Sequence, residues 1–330
     1  MAKAVDGDAL LALARRNRVE GLVWRAINDL DLPVDGPTAD RLTAAATSIA
    51  QAGMLNAAES ARLLASFDRA GIPLLFLKGL TLGVIAYGDP FVKMGWDIDL
   101  LVAPSRIGDA ANRLVELGYR PVAPGDARRI AQWHDRNKES VWRKGKESIF
   151  VELHGRLADH PALIPAIDVG TTRQSVEISP KLMLPTLADD PLFAYLCIHG
   201  ASSAWFRLKW ITDLAAFLHG RDPAEFERFY RFAIDAGAGR SAGQALLLAE
   251  RLYAIPLGGL RNRLLSDPAN RWLVASAMIY LDGVWSRREP TETMLGTLPI
   301  RASQLVLLPG WRFKMSEATR QLASIVRRGA

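Results

Sequence analysis

Apolar and polar positions recur along this chain with two periods, and the change from one to the other divides it. Leu10, Leu11, Leu13, Ala14, Val19, Leu22, Val23 and Ala26 recur at helical spacing and predict a helix over 8–30, broken by Pro33, Gly36 and Pro37. An Ala-rich pattern predicts a second helical region from Thr38 to about Gly71, stopped by Gly71-Ile72-Pro73. Short apolar runs then follow: a strand at Leu74–Leu77, a helix at Leu80–Tyr87, and a strand at Ile98–Val102 ended by Pro104. Ser105 is placed to cap a helix running to Gly118. Val141–Arg143 and Ser148–His154 read as paired strands around Lys144-Gly145-Lys146. The pattern turns helical after Leu157, with some strand character at Gln174–Ile178. It becomes strongly helical over 192–218, 223–254 and 268–285, and the tail beyond Pro290 reads as an amphipathic helix with a basic side.

These periods predict an α+β protein: a small mixed β-sheet core flanked by N-terminal helices and a C-terminal helical domain. The expected division is an N-terminal helical region over 1–72, an α/β core over 73–180, and a helical domain over 181–330. At 330 residues and 49% hydrophobic content, the chain can bury such cores.

Charge and cysteine content narrow the setting. A net charge of +6 suits a phosphate-bearing partner but also arises from surface arginines. The single cysteine, Cys197, excludes a disulfide within the chain and, in the apolar run LFAYLCIHG, reads as a small buried residue. Asp6, Asp8, Arg15, Arg16 and Arg18 interrupt any signal-peptide core. No window supplies the roughly 20 apolar residues of a spanning helix. The expectation is a soluble, cytoplasmic protein with no membrane partner.

The candidate chemistry lies in LLFLKGLTLGVIAYGDPFVKMGWDIDLLV, residues 74–102. Side chains alternate on a strand, so Asp97 and Asp99 share one face while Ile98, Leu100 and Val102 share the other. Two carboxylates side by side on a buried strand call for a hard divalent cation. Glu152, on a later strand whose other face is Ile149, Val151 and Leu153, is the third acid. Three such carboxylates can hold two Mg²⁺ ions for an in-line displacement at a triphosphate. Gly79 lets the backbone approach phosphates at a helix N-terminus, and Lys78 and Lys93 are charge partners for a triphosphate.

With LLFLKGLTL, YGDPFVKMGWDIDLLV, FVELHGRL and LCIHGASSAWFRLKWITDLAAFL in this order, the chain resembles an uncharacterised branch of the polymerase-β-like nucleotidyltransferase superfamily. The resemblance runs from about Arg15 to Leu218. It implies that Asp97, Asp99 and Glu152 are the catalytic, metal-binding carboxylates and that Gly79 is the glycine of the first-strand turn. It also places Lys209 and Asp213 at the Lys and Asp of a later helix that serves nucleotide binding. The implied reaction is Mg²⁺-dependent transfer of a nucleoside monophosphate from an NTP, such as ATP, to an acceptor, with release of pyrophosphate. A peptide or a sugar is the acceptor the resemblance suggests. The sequence departs from the superfamily in Lys78-Gly79 for Gly-Ser or Gly-Gly, though Lys-Gly is usual in this branch. It departs further in Lys93 for Arg and in Glu152 for Asp, and Trp96 directly before Asp97 is bulky.

Other readings stand beside these. The fold can serve a non-catalytic nucleotide-binding or antitoxin-like regulatory protein, or an RNA-directed transferase with a basic groove. Glu152 can pair with Lys144 or Lys146 instead of a metal. His154 reads as a structural hydrogen-bonder, because Mg²⁺ prefers oxygen. Lys209 and Asp213, four apart, can form an intrahelical ion pair. Of Trp205, Phe206 and Trp210, at least two read as core rather than base-stacking rings, and His199 reads as a core histidine. The basic run Arg128–Lys146 reads as solvated surface or as a funnel for anions.

Overall fold

The computed structural model of the chain describes residues 6–145, 149–283, 285–292 and 295–329, with side chains as far as Ser324. Lys146 and Ser148 lie outside the described residues. Contacts divide the chain into a first unit of Met1–Leu157 with Ile167–Ala188 and a second of Ala158–Ala166 with Asp189–Ala330.

The first unit begins with helices α1 (Gly7–Asn17), α2 (Glu20–Asp29) and α3 (Gly36–Arg69). The helix expected over 8–30 is therefore two. Arg18 adopts a left-handed conformation (φ 55°), and its amide caps the Ala14 and Arg15 carbonyls, closing α1. Gly36 and Pro37 open α3 instead of merely ending what precedes it. Proline lacks an N–H that the first helical turn would not use, and the Asp35 carboxylate accepts the Thr38 N–H.

Next come β1 (Leu74–Phe76), α4 (Leu80–Tyr87), β2 (Asp97–Val102), α5 (Ile107–Glu116), β3 (Arg120–Ala123), α6 (Ile130–His134), β4 (Glu139–Lys144) and β5 (Ile149–His154). The expected Ser105 cap is not formed: Pro104–Arg106 make a 3-10 turn, and α5 starts at Ile107 without a side-chain cap. The five strands order as β1-β2-β5-β4-β3. The β2–β5 pair is parallel and the others are antiparallel. On one face Phe76, Ile98, Leu100, Val102, Val151 and Leu153 join Leu63 and Phe67 of α3 and Ala110, Ala111 and Leu114 of α5 in one buried cluster. That packing fixes the pleat and turns Asp97, Asp99, Glu152 and His154 to the opposite face.

A hairpin of β6 (Arg173–Ser179) and β7 (Leu182–Leu187) completes the unit. The helical pattern expected after Leu157 is not realised, since no helix forms between Leu157 and Asp189. Pro185 lies inside β7 opposite Ser175, tolerated because each strand of a two-stranded sheet has a free edge.

The second unit holds α7 (Asp189–Ser202), α8 (Leu208–Leu218), α9 (Pro223–Asp235), α10 (Gly239–Tyr253), α11 (Leu260–Ser266), α12 (Pro268–Leu281), α13 (Leu298–Gln304) and α14 (Trp311–Gly329). The break between α7 and α8 is made at Ala204 and Trp205, both left-handed. The fully buried Trp205 ring covers Gly200, where a Cβ would stand only 2.3 Å from it. On α14, Arg312 and Lys314 are exposed, whereas Arg320 turns to the buried Glu317. The side chains of Arg327 and Arg328 lie outside the described residues.

Candidate active site

Antiparallel pairing of β1 with β2 aligns Phe76 with Leu100, so the chain leaving β1 passes the start of β2. The Leu77 amide donates to the Asp99 carbonyl at 3.1 Å. Lys78 follows, and its Nζ lies 2.9 Å from Asp99 Oδ1. Gly79 then takes φ 61°, ψ −118°, a conformation that side-chain-bearing residues rarely adopt, and turns the chain into α4. Parallel pairing of β2 with β5 sets Asp99 directly opposite Glu152 and Leu101 opposite His154. Antiparallel pairing of β4 with β5 sets Glu139 opposite His154.

His154, completely enclosed, links these groups. Its Nε2 donates to Asp99 Oδ1 at 3.2 Å and stands 3.7 Å from Glu152 Oε2. Its Nδ1 is 3.4 Å from Glu139 Oε2, which Lys138 Nζ also approaches at 3.0 Å. One ligand atom from each of Asp99, Glu152 and His154 lies within 4.8 Å of the others.

The charges tune one another. Burial alone would raise the Asp99 carboxyl, but the Lys78 ammonium and the His154 ring outweigh it and hold the group far below the ordinary carboxylate range. For His154, burial acts downward, yet hydrogen bonds to Asp99 and Glu152 and the charge of Glu139 push the ring up to about 9. Glu152 moves up, through burial and the neighbouring Asp99, Glu139 and Asp97 carboxylates, against its His154 contact. Burial raises Glu139 as well, but Lys138 and His154 prevail and lower it.

Beside these groups opens a cleft within the first unit. Its walls include Lys78, Gly79, Lys93, Asp97 and Asp99, together with Asn56 and Ser60 of α3. Asn56 Nδ2 donates to the Gly95 carbonyl and ties the loop before β2 to α3. Trp96, 62% exposed, points to solvent and is not among the cleft residues.

Five of the residues singled out in the sequence therefore share one cleft, and Glu152 stands across the strand pair from Asp99. Asp97 lines the cleft but is not in the tight group of Asp99, Glu152 and His154. Lys209 and Asp213 lie on α8 of the second unit. Asp213 is buried, and Lys209 Nζ is 5.8 Å from the centre of the Trp210 ring. Trp205 is core, while Phe206 and Trp210 pack edge to face at 4.9 Å and are half-buried. His199 is half-buried between the Tyr195 and Trp210 rings.

Lys144 does not pair with Glu152. It lies on the opposite pleat of β4, where it meets Glu59 at 3.3 Å. In the basic run, Arg128, Arg129, Arg136 and Arg143 are exposed, Lys138 turns to the half-buried Glu139 and Lys144 to the buried Glu59. Sequence reasoning missed Glu139 and the α3 residues Asn56 and Ser60. Glu139 becomes visible only when the β4–β5 register is known, and the polar positions of α3 carry no signal of their own.

The donor set fits a hard divalent cation. Asp97, Asp99 and Glu152 offer carboxylate oxygens, and the imidazole nitrogen nearest them is engaged in hydrogen bonding to Asp99. Asp99 already faces two cationic groups, the Lys78 ammonium and the His154 ring. No helix among the described residues is long and apolar enough to cross a membrane.

Comparison with curated proteins finds no match. A protein family described as uncharacterised nucleotidyltransferase matches residues 3–254, well over half of the 330-residue chain, and the protein belongs to that family.

Proposed function

We propose that the protein transfers a nucleoside monophosphate from an NTP to a hydroxyl, or a similar group, on a small acceptor, releasing pyrophosphate. The observation that carries this reading is the in-register pair Asp99 and Glu152 beside the Lys78-Gly79 turn into α4. Divalent cations, Mg²⁺ in the first instance, would be held by Asp97, Asp99 and Glu152 and would supply charge neutralisation of the triphosphate and its leaving group.

The chain's own groups account for the rest. The turn at Gly79 admits phosphate oxygens to the backbone amides at the start of α4. Lys78 and Lys93 contribute positive charge to the cleft that receives the triphosphate. The acceptor oxygen attacks the α-phosphorus, the bond from that phosphorus to pyrophosphate breaks, and Glu152 takes the acceptor's proton. A peptide or sugar is the acceptor that the resemblance suggests.

Incubation with each labelled NTP, Mg²⁺ and candidate acceptors tests the reading, beside the Asp97→Ala/Asp99→Ala double variant. Pyrophosphate release should need Mg²⁺ and be lost in the variant. Equal release by both proteins would sink the proposed site. Mg²⁺-dependent NTP binding without any release would favour a nucleotide-binding regulator of the same fold.

A further inference from the structure

Glu139 belongs to no motif and has no part in the reaction outlined above, yet it is the only described carboxylate that faces the far side of the His154 ring. In-register carboxylates on neighbouring strands repel; the ladder fixes the backbone of Asp99 and Glu152 but not the spacing of their carboxylate oxygens. A ring nitrogen set between them does. His154 Nε2 lies 3.2 Å from Asp99 Oδ1 and 3.7 Å from Glu152 Oε2. A carboxylate facing the other ring nitrogen attracts the charged imidazole and favours the orientation that keeps that edge forward. The buried Nδ1 makes no hydrogen bond to a described residue, and Glu139 Oε2 faces it at an ion-pair distance of 3.4 Å. The strand register supplies it, since Glu139 is the β4 residue opposite His154 and shares its pleat face. Lys138 Nζ, 3.0 Å from the same oxygen, steadies the Glu139 carboxylate.

We propose that Glu139 is a positioning residue: acting through the His154 ring, it holds the Asp99 and Glu152 carboxylates at the spacing that receives the divalent cation. This rests on the metal-binding reading given above. Groups that orient a residue of a metal site in this way change metal affinity without touching the metal.

The test uses the full chain with Mn²⁺ alone as probe, free ion being counted by its paramagnetic resonance signal. The variants are Glu139→Ala and Glu139→Gln, the second of which keeps an acceptor oxygen and the side-chain shape. Mn²⁺ affinity should fall about 10–100-fold in the Ala variant and by less in the Gln variant. A second readout needs no metal. Nitrogen-15 spectra of the histidine rings, with His154 assigned by its loss in His154→Asn, should show its Nδ1 resonance displaced in both Glu139 variants. A purely structural Glu139 would lower the melting temperature and leave Mn²⁺ affinity and the His154 resonances unmoved, and that result overturns the proposal. If Glu139→Ala does not fold, Glu139→Gln decides between these outcomes through both readouts. Absence of Mn²⁺ binding by the unaltered chain overturns the metal reading and this inference together. Binding by the unaltered chain with equal binding by the variants overturns this inference alone.

Discussion

Replacing Lys78 with Met tests the charge balance of the site most directly. The variant keeps an unbranched apolar stem and loses the ammonium, which stands 2.9 Å from Asp99 Oδ1. The Asp99 side chain is 2% exposed and that of Lys78 17%, so the pair is largely shielded from water. Removing one partner of a buried pair costs about 3–5 kcal/mol, because the other charge is stranded. Here His154 remains 3.2 Å from the same oxygen, and Lys78 is partly solvated, so a loss of about 2–3 kcal/mol is expected at neutral pH. The pH dependence has a definite sign. The Asp99 proton affinity is lowered in the folded state, so its contribution is fully present above the unfolded value, 3.8, and drains away as pH falls below it. The variant lacks much of that contribution, so the two proteins should converge in acid. Urea unfolding of both proteins, from about pH 7 down to about pH 3, measures this. Mn²⁺ should also stabilise the variant more than the parent, because the ion then meets Asp99 without a competing ammonium. Equal stability at neutral pH, or a deficit that does not change with pH, would refute the reasoning.

Gly79→Ala should cost about 1–3 kcal/mol through backbone strain alone, since the nearest atom to a new Cβ is 3.9 Å away; a chemical melt showing no loss would contradict that. Glu59 is held below its ordinary value against burial by Arg62, Tyr119 and Lys144. Its contribution is therefore present above the unfolded value, 4.5, and is lost as pH falls below it, and Glu59→Gln should flatten the acid limb of stability against pH. Trp205→Ala should destabilise the protein by about 3–5 kcal/mol, because the ring is fully buried over Gly200; a calorimetric melt unchanged from the parent would exclude this packing role.

Much of the first unit was legible in the sequence because its apolar alternation is strict. Ile98, Leu100 and Val102 name the core face of β2, and by exclusion Asp97 and Asp99 name the other; the same logic places Glu152 and His154 on β5. Helix α4 is found at Leu80–Tyr87, as its flanking glycines foretell. Where the reading failed, a local rule met a tertiary one. Arg18 breaks an uninterrupted helical pattern by its backbone conformation, which no side-chain period records. Leu182–Leu187 forms a strand through Pro185, because that strand lacks a neighbour on one side. Glu139 was hidden by register. A turn centred on Gly145 would set Val141 opposite Ile149, whereas Lys144 holds that place, and the shift moves Glu139 from the core pleat to the His154 pleat.

Register also explains how the chain tolerates two acids that repel. Ligand atoms of Asp99 and Glu152 lie within 4.8 Å, a repulsion of roughly 3 kcal/mol at an effective dielectric near 20. Slipping β2 by one residue would separate them, but it would also turn Ile98, Leu100 and Val102 out of the core and press Asp97 and Asp99 into it. Those three side chains are 5%, 0% and 0% exposed. At about 1.5–3 kcal/mol each, their burial is worth roughly 5–9 kcal/mol. Burying the carboxylates among Val151 and Leu153 would cost more again. The hydrophobic face of β2 thus outweighs the repulsion on its polar face. The carboxylates stay in register, and the remaining strain is relieved locally by Lys78 and His154. Weakening that face should act on the site at a distance: Leu100→Ala, which touches neither acid's charge, should reduce Mn²⁺ affinity along with stability. Mn²⁺ affinity unchanged in a Leu100→Ala protein that has lost the expected ~2–5 kcal/mol would show that the ladder hydrogen bonds alone hold the register.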